Sequence, residues 1–257
     1  MRLLLTNDDG INAVGIYELA RALVSTGHEV FISAPEQDQS CISHALTLRR
    51  PLHAQRRVLP GLEGVTAFAV DGTPGDCVRL ALGNLGADAE LVVSGVNAAP
   101  NLGTDAVYSG TVSAAIEGLM VDLPAIAVSK DTFTVDHMRE AAEFFARYLP
   151  RLMAFFEEGP AMLSVNVPSC PASEYRGVRT AGLQLQTYDL RFDEAEEDGR
   201  TAYYVRPGKT TVLSEKEYTD ERAMREGYVV VTPLTYDITD RRLLEKARRM
   251  FETEGSI

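Results

Sequence analysis

Two adjacent carboxylates, Asp8 and Asp9, directly follow a short apolar run near the start of the chain. The run at residues 3–6 predicts a buried strand, and Gly10 permits a tight turn behind it. Adjacent carboxylates repel each other unless a positive charge lies between them, and hard divalent cations bind carboxylate oxygens. The pair therefore indicates a metal site, although Asn-Asp-Asp-Gly is also common in solvated turns. The motif alone favours neither interpretation.

The strand before these aspartates belongs to a regular alternation of predicted strands and helices. Apolar runs predict strands at residues 3–6, 29–33, 65–70, 91–94, 125–128 and 163–167, and helical periodicity predicts helices at residues 14–24, 75–85, 109–121 and 135–156. Continuous apolar strands that alternate with helices are typical of a parallel sheet covered on both faces. The predicted fold class is therefore α/β, with a Rossmann-like, mostly parallel sheet and helices on both faces.

Ligands of such a fold collect outside the carboxyl ends of the strands, near the point where the strand order reverses. The segments that follow the predicted strands there are rich in side-chain oxygens and poor in lysine and arginine; they cover residues 7–9, 34–44, 71–73 and 95–105. Carboxylates, hydroxyls and amide carbonyls on one edge suit Mg²⁺ or Mn²⁺. The clustered thiolates and paired histidines of structural zinc sites are missing from these segments.

A second segment, residues 108–118, could bind phosphate. Its apolar residues recur at helical spacing, which places Ser109, Gly110 and Thr111 in the first turn of a helix. Unpaired backbone N–H groups and the positive end of the helix dipole make such a turn an anion site. The alternative is that Ser109 or Thr111 only caps the helix. The segment alone favours capping, whereas its combination with an oxygen-rich edge favours phosphate.

Composition and charge exclude several functional classes. The 257 residues are 45% hydrophobic and 24% charged, as in an ordinary globular protein, and the formal net charge is -12. An acidic chain is a poor match for duplex nucleic acid, whereas a bound metal still permits a phosphorylated substrate. No apolar run reaches the roughly 18 residues of a membrane span. Because Cys41, Cys77 and Cys170 form no Cys-x-x-Cys pair, we expect reduced thiols in a cytoplasmic protein that does not contact a membrane.

The last third of the chain has a different pattern. Residues 1–170 are predicted to form the α/β catalytic core and residues 171–257 an extension, within a single domain overall. In the extension, residues 178–192 and 202–205 predict the two strands of a long hairpin. The acidic run 193–199 is predicted to be the solvated loop that joins them.

The extension is predicted to end in a strand and a helix. Residues 228–232 predict the late strand, and Thr239 is the predicted N-cap of a terminal helix whose apolar residues recur at helical spacing. A hairpin and a terminal helix with apolar faces, appended to an α/β core, often mediate subunit contacts. We therefore expect this extension to serve oligomerisation.

Four motifs of the chain resemble the SurE family (survival protein E). They are Leu-Leu-Thr-Asn-Asp-Asp-Gly at residues 4–10, Ser-Gly-Val-Asn at 94–97, Asn-Leu-Gly-Thr-Asp at 101–105 and Tyr-Ser-Gly-Thr-Val-Ser-Ala-Ala-Ile-Glu-Gly at 108–118. Together with shorter supporting segments, the match is spread over nearly the whole chain. SurE proteins are metal-dependent nucleoside monophosphate phosphatases. The resemblance implies a 5′-nucleotidase that could also accept 3′-nucleotides and short polyphosphate, assembled as a homodimer or homotetramer.

The resemblance also implies a set of site residues. One divalent metal per subunit, Mg²⁺ or Mn²⁺, would be bound by Asp8, Asp9, Ser40 and Asn97. The phosphate would be held by Asn101, Ser109, Gly110 and Thr111. Asp8 or Asp9 would be catalytic, as general base or as nucleophile, with Asp8 closer to the chemistry and Asp9 the firmer metal ligand. The chain departs from the family at Cys41 and at residues 99–100, where glycine is usual, and retains every proposed ligand.

Several alternatives stay open. His44 could protonate a leaving group, although a lone loop histidine is more often structural, and Cys41 and Cys77 are expected to be packing residues. A haloacid-dehalogenase phosphatase is disfavoured because Ala69 stands where its Asp-x-Asp-Gly-Thr motif needs an aspartate. The chain also lacks a P-loop and a Gly-x-Ser-x-Gly elbow. The remaining rival is a nucleotide-sensing module that binds metal and phosphate without turnover.

Overall fold

The computed structural model of the chain describes residues 1–206, 208–213 and 218–252. Its strands and helices, in chain order, are β1 (Arg2–Thr6), α1 (Val14–Ser25), β2 (Glu29–Pro35), β3 (Ala54–Arg57), β4 (Thr66–Val70), α2 (Pro74–Gly83), β5 (Leu91–Asn97), α3 (Gly110–Leu119), β6 (Ala125–Lys130), α4 (Met138–Met153), β7 (Met162–Val167), β8 (Val178–Thr180), β9 (Gln186–Tyr188), β10 (Arg191–Glu197), β11 (Arg200–Arg206), β12 (Thr210–Val212), α5 (Asp220–Arg225), β13 (Val229–Leu234) and α6 (Arg241–Phe251). Short 3₁₀ helices lie at Gly103–Val107, Ala154–Glu158 and Ala172–Glu174. The predicted extension also includes residues 207, 214–217 and 253–257, which lie outside the described residues.

Nine strands form one central sheet in the order β3-β4-β2-β1-β5-β6-β7-β13-β8. The six strands from β4 to β7 in this order are mutually parallel, whereas β3 and β13 run antiparallel to β4 and β7. The strand order reverses at β1 and β5, because the chain moves outward from β1 in one direction and outward from β5 in the other. This topology confirms the predicted α/β sheet and places its switch point at the carboxyl ends of β1 and β5.

Helices cover both faces of the sheet, as predicted. α1 and α4 pack on one face against Leu3 and Leu5, and α2 and α3 pack on the other face against Leu4. Successive residues of a strand point to opposite faces, so β1 contributes to both layers. Each of the three leucines is at most 1% exposed, and full burial of such a side chain contributes about 2 kcal/mol. The segment that leaves β1 therefore starts from a firmly fixed position.

The region after β7 differs most from the prediction. The prediction of one strand over residues 178–192 is wrong, because β8 joins the central sheet beside β13, β9 pairs with β12, and only β10 belongs to the hairpin. The acidic run was also placed wrongly, since residues 193–197 lie within β10. The hairpin turn consists of Asp198 and Gly199, whose φ angles of +49° and +73° suit the tight turns that connect twisted strands.

The remaining differences concern the edges of elements. The exposed, polar edge strand β3 has no alternating pattern that predicts it. α4 is shorter than the predicted helix at 135–156 and is followed by a 3₁₀ helix. The N-cap of α6 is Asp240 and not Thr239, because the Asp240 carboxylate accepts from the Arg242 N–H at 3.0 Å. β8 and β13 complete the central sheet, and the domain boundary at residue 170 stays a prediction. In the three described ranges, no helix is both long and apolar enough to cross a membrane.

A candidate metal and phosphate site

The predicted metal-binding carboxylates and the predicted phosphate-binding turn of α3 meet at the end of β1. Asp8 is 3% exposed, and its carboxylate accepts a hydrogen bond from the hydroxyl of Thr111, which is fully buried in the first turn of α3. Gly110 makes this approach possible, because a Cβ atom there would lie 2.8 Å from the Asp8 Cβ. The structure therefore packs the N-terminus of α3 directly against the first carboxylate of the pair.

Asp9 contacts the segment that leaves β5. Its carboxylate accepts from the Ala98 N–H at 3.2 Å, next to the proposed ligand Asn97. Burial, followed by the negative charge of Asp8, raises the pKa of Asp9 to about 6. Burial likewise raises the pKa of Asp8 and outweighs the hydrogen bond from Thr111 that lowers it. The two carboxylates thus lie together in a place where their negative charge is poorly solvated, and a cation there would stabilise both.

The other two proposed metal ligands lie on the adjacent segments. Asn97 is 7% exposed, and its amide nitrogen donates to the Ala99 carbonyl at 2.8 Å, which orients the side chain. Ser40 is exposed, and its backbone N–H donates to the Asp38 carboxylate at 2.6 Å. Its neighbour Gln39 donates its backbone N–H to the Asp8 carbonyl at 2.8 Å. The turn that carries Ser40 is therefore attached to the end of β1.

The donor set fits a hard divalent cation. Three buried side-chain oxygens close to the ends of β1 and β5 have no hydrogen-bond partner in the described part of the chain: Thr6 Oγ1, Asn7 Oδ1 and Ser94 Oγ. Thr6 and Ser94 are paired neighbours on β1 and β5. Within that part, no three His, Cys, Asp or Glu side chains are grouped to hold a metal ion. A metal here would therefore rely on two carboxylates plus neutral hydroxyl and amide oxygens, which suits Mg²⁺ or Mn²⁺ better than zinc.

The predicted phosphate-binding residues are partly engaged by the protein itself. Ser109 caps α3, because its hydroxyl accepts from the Val112 N–H at 3.1 Å. The Thr111 hydroxyl is bonded to Asp8. Asn101 is buried, and its side-chain nitrogen donates to the Ser129 hydroxyl at 2.7 Å, which leaves one of its two N–H hydrogens available. At α3, a phosphate would therefore meet mainly backbone N–H groups, with Gly110 at the point of closest approach.

His44 lies in a side-chain network and not at the carboxylate pair. Its Nε2 lies 2.6 Å from Glu117 Oε1, and the Arg79 guanidinium lies 2.5 Å from the other oxygen of Glu117. Glu117 is 1% exposed on α3. Because both of its oxygens are used, the arrangement favours the structural alternative for His44 over a role as a general acid. The network attaches the segment after Ser40 to α3 and α2.

Sequence reasoning missed three residues that shape the site. Asp38 adds negative charge that raises the pKa of both Asp8 and Asp9. Asn166, on β7, accepts from the Asn101 backbone N–H at 2.9 Å and so positions that loop. Glu117 lies in the motif at residues 108–118, but that motif does not show that its side chain is buried. The position of Asp38 after the predicted strand 29–33 was the one sequence feature that could have indicated its proximity to the carboxylate pair.

Comparison with known proteins identifies the family of this chain. The model of a family described as survival protein SurE matches residues 3–189. The chain is 40% identical over 256 residues to a protein named 5′-nucleotidase SurE from Desulfitobacterium hafniense, with 99% of each chain covered. It is 42% identical over 248 residues to the protein of that name from Synechococcus elongatus, with 93% of this chain and 95% of the relative covered.

A solved structure agrees with the sequence comparisons. The crystal structure of the SurE protein from Aquifex aeolicus is similar to this fold with a TM-score of 0.79 and 32% sequence identity. The similarity covers 97% of this chain and 99% of the other. Together with the full-length relatives, these matches confirm what the four motifs predicted: the chain belongs to the SurE family.

Proposed function

We propose that this protein is a divalent-metal-dependent phosphomonoesterase that hydrolyses nucleoside 5′-monophosphates to nucleoside and phosphate. The observation that carries the proposal is the Asp8–Asp9 pair at the end of β1: Asp8 is buried against the N-terminus of α3, and burial raises the pKa of both carboxyl groups. A cation site next to an anion site suits a phosphate ester. Relatives about 40% identical over the full chain carry the name 5′-nucleotidase, which supports this reaction class. Nucleoside 3′-monophosphates and short polyphosphate are proposed as further substrates.

In this proposal, Asp8, Asp9, Ser40 and Asn97 hold one Mg²⁺ or Mn²⁺ ion. When bound, such an ion polarises a phosphoryl oxygen and acidifies a water molecule. Thr111 holds one oxygen of the Asp8 carboxylate and so fixes the orientation of that side chain. Asp8 acts on the attacking group, and Asp9, which is held by the Ala98 N–H, acts mainly as a ligand. Backbone N–H groups at Gly110 and the amide of Asn101 bind the non-bridging phosphate oxygens.

A phosphate-release assay tests this function against the nucleotide-sensing alternative. A panel of nucleoside 5′- and 3′-monophosphates is incubated with folded protein and Mg²⁺ or Mn²⁺, with and without a chelator. We expect release of phosphate that stops when the chelator is added and returns with excess metal. The absence of metal-dependent release from every compound of the panel, with nucleotide binding retained, would establish the sensing module instead.

We further propose that the protein is a cytoplasmic homodimer or homotetramer. Its three cysteines are free thiols, which suits a reducing compartment. The hairpin of β10 and β11 and helix α6 carry large apolar side chains that are more than half exposed: Phe192, Tyr203, Val205, Leu243 and Phe251. Such exposed apolar groups favour an interface. Light scattering on the full chain tests this, because a mass equal to that of one chain would contradict it.

A further inference from the structure

Lys130, the last residue of β6, is a fully buried lysine. Its ammonium donates to Thr132 Oγ1 at 2.7 Å and to Ser169 Oγ at 3.0 Å. Both partners are hydroxyls and not carboxylates. Burial lowers the pKa of this lysine, and the negative charges of Asp136 and Asp131 oppose that effect only in part. Burying an ammonium on neutral partners is costly, so its position calls for an explanation other than packing.

The two hydroxyls that bind Lys130 line an open pocket of about 530 Å³. The lining residues are Thr132, Thr134, Asp136, His137, Glu140 and Ser169. The Thr132 hydroxyl lies 3.1 Å from that of Ser169 and 3.2 Å from that of Thr134, so the three hydroxyls form a connected group. A hydroxyl that accepts from an ammonium becomes a stronger donor to its next partner. Lys130 therefore strengthens the hydrogen-bond donors at the pocket wall.

The same pocket also presents hydrogen-bond acceptors, and the combination of donors and acceptors favours one class of ligand. Asp136 and Glu140 contribute carboxylates to the lining, with His137 Nδ1 3.2 Å from Glu140 Oε1, and two carboxylates disfavour an anionic ligand. A sugar fits better, because each of its hydroxyls can accept from the threonine and serine hydroxyls and donate to a carboxylate. Carboxylates bind ribose hydroxyls in this way in nucleotide-binding α/β folds.

An exposed aromatic residue in the loop that contributes to the pocket extends the match to a nucleobase. Phe133, between Thr132 and Thr134 in sequence, is 86% exposed. Packing does not explain a large apolar side chain that is exposed to this extent. Nucleobases stack on such rings without a requirement for a particular base. The loop after β6 thus carries both an exposed aromatic ring and two of the hydroxyls that line the pocket.

The position of the loop relative to the carboxylate pair suits the length of a nucleotide. β6 is the neighbour of β5, with Asn97 paired to Ser129, so the loop leaves the same edge of the sheet as the proposed metal ligands. β1 lies two strands from β6, which corresponds to roughly 10 Å across the sheet. A nucleotide with its phosphate at Asp8 and Asp9 can therefore extend its sugar and base toward Phe133.

We propose that the pocket at residues 132–140 and 169, together with Phe133, binds the nucleoside part of the substrate. The sugar hydroxyls bind Thr132 and Asp136, the base stacks on Phe133, and Lys130 acts as a positioning residue through Thr132 and Ser169. This assignment rests on the proposed nucleotidase function, and it attributes the specificity for a nucleoside to these residues.

The test compares two phosphate esters in two variants, Phe133→Ala and Thr132→Val. Phosphate release is measured with a ribonucleoside 5′-monophosphate and with butyl phosphate, which has neither sugar nor aromatic ring. We expect each variant to lower kcat/KM for the nucleotide by about ten-fold or more, and to change kcat/KM for butyl phosphate by less than about two-fold. The matched control is Leu48→Ala, because Leu48 is also a large apolar residue that is 86% exposed and it does not line this pocket. We expect this control to affect neither substrate.

Two results would overturn the nucleoside site. One is an equal effect of Phe133→Ala and Thr132→Val on both esters, and the other is a nucleotide-specific loss in Leu48→Ala. If the unchanged protein cleaves butyl phosphate but no nucleotide, the proposed function fails, and the site is then tested separately by calorimetry with an uncharged nucleoside. Binding that Phe133→Ala weakens supports the site in that case, and the absence of binding removes it.

Discussion

Two acidic segments of this chain differ in what surrounds their carboxylates. Asp8 is 3% exposed, and its hydrogen bond comes from a threonine hydroxyl. Residues 193–197 of β10 are largely exposed, and Asp193 pairs with Arg206 on the neighbouring strand at 2.7 Å. An exposed carboxylate is stabilised by water and contributes little through its ion pair. The pair at the end of β1 has less of this solvation, so of the two segments it is the one where a bound cation would stabilise the carboxylates most.

The largest expected effect that separates the two segments comes from Asp9→Asn. Loss of a ligand carboxylate should lower phosphate release by about 10³-fold or more, because metal-assisted hydrolysis depends on the bound ion. Without metal, the same variant should be more stable than the unchanged protein by on the order of 1 kcal/mol, since it removes a charge next to Asp8. Thermal unfolding in chelator measures the second effect.

The matched control for that prediction is Asp193→Asn in the hairpin. It removes one negative charge as well, but from an exposed ion pair, so activity should be unchanged and stability should change by less than about 1 kcal/mol. If Asp9→Asn retains activity, or if Asp193→Asn stabilises the metal-free protein to the same degree, the contrast between the segments does not hold.

The second prediction concerns the close packing of α3 on Asp8. Gly110→Ala should destabilise the protein by about 1–3 kcal/mol and reduce activity, because the new Cβ would lie 2.8 Å from the Asp8 Cβ and 3.2 Å from Ile42 Cγ2. Gly83→Ala at the end of α2 is the control. Its Cβ would meet nothing within 4 Å, so helix propensity should stabilise it by roughly 0.5–1 kcal/mol. Equal Tm shifts of the two variants would show that the contact with Asp8 has no steric importance.

How well the sequence predicts the secondary structure and burial of a segment depends on its residue types. Leu3–Leu5 could be placed in a buried strand because apolar runs have few other uses, and Asp8 and Asp9 were correctly placed at the carboxyl end of that strand. The exposed strand β3 could not be predicted, since its Ala-Gln-Arg-Arg sequence has no buried face. Lys130 could not be predicted to be buried, because lysine is almost always at the surface.

The acidic hairpin shows the opposite limitation. Its carboxylates were correctly expected at the surface, but composition alone could not separate a loop from a strand whose two faces are both exposed. Pairing with β11, which begins directly after the Asp198–Gly199 turn, decides that question, and this pairing cannot be seen in the acidic run itself. Sequence patterns therefore predicted the buried segments of this fold more accurately than its exposed ones.

The third prediction separates the two roles considered for His44. His44→Gln should retain activity within about two-fold, because glutamine can still hydrogen bond to the buried Glu117 carboxylate. His44→Leu should cost about 1–2 kcal/mol of stability, since it removes one partner of that carboxylate. A general acid would behave differently: His44→Gln would then lower kcat by about 10²-fold for nucleotides and much less for p-nitrophenyl phosphate, whose leaving group needs no proton.

The smallest effect is expected for Asp71, a partly exposed carboxylate that is well hydrogen-bonded. The His53 N–H and imidazole, with Arg50 nearby, lower the pKa of Asp71 from 3.8 to about 2. A carboxyl group with a lowered folded-state pKa contributes stability above its unfolded-state pKa, and that contribution is lost as the pH falls through the folded-state value. Asp71→Asn should therefore be slightly less stable than the unchanged protein at pH 6, and the difference should disappear between about pH 4 and pH 2. Urea unfolding at several pH values measures this. Ionisation of Asp71 therefore stabilises the folded protein, whereas ionisation of the Asp8–Asp9 pair destabilises it when no cation is bound. A stability difference between Asp71→Asn and the unchanged protein that grows toward low pH would contradict the sign assigned to Asp71.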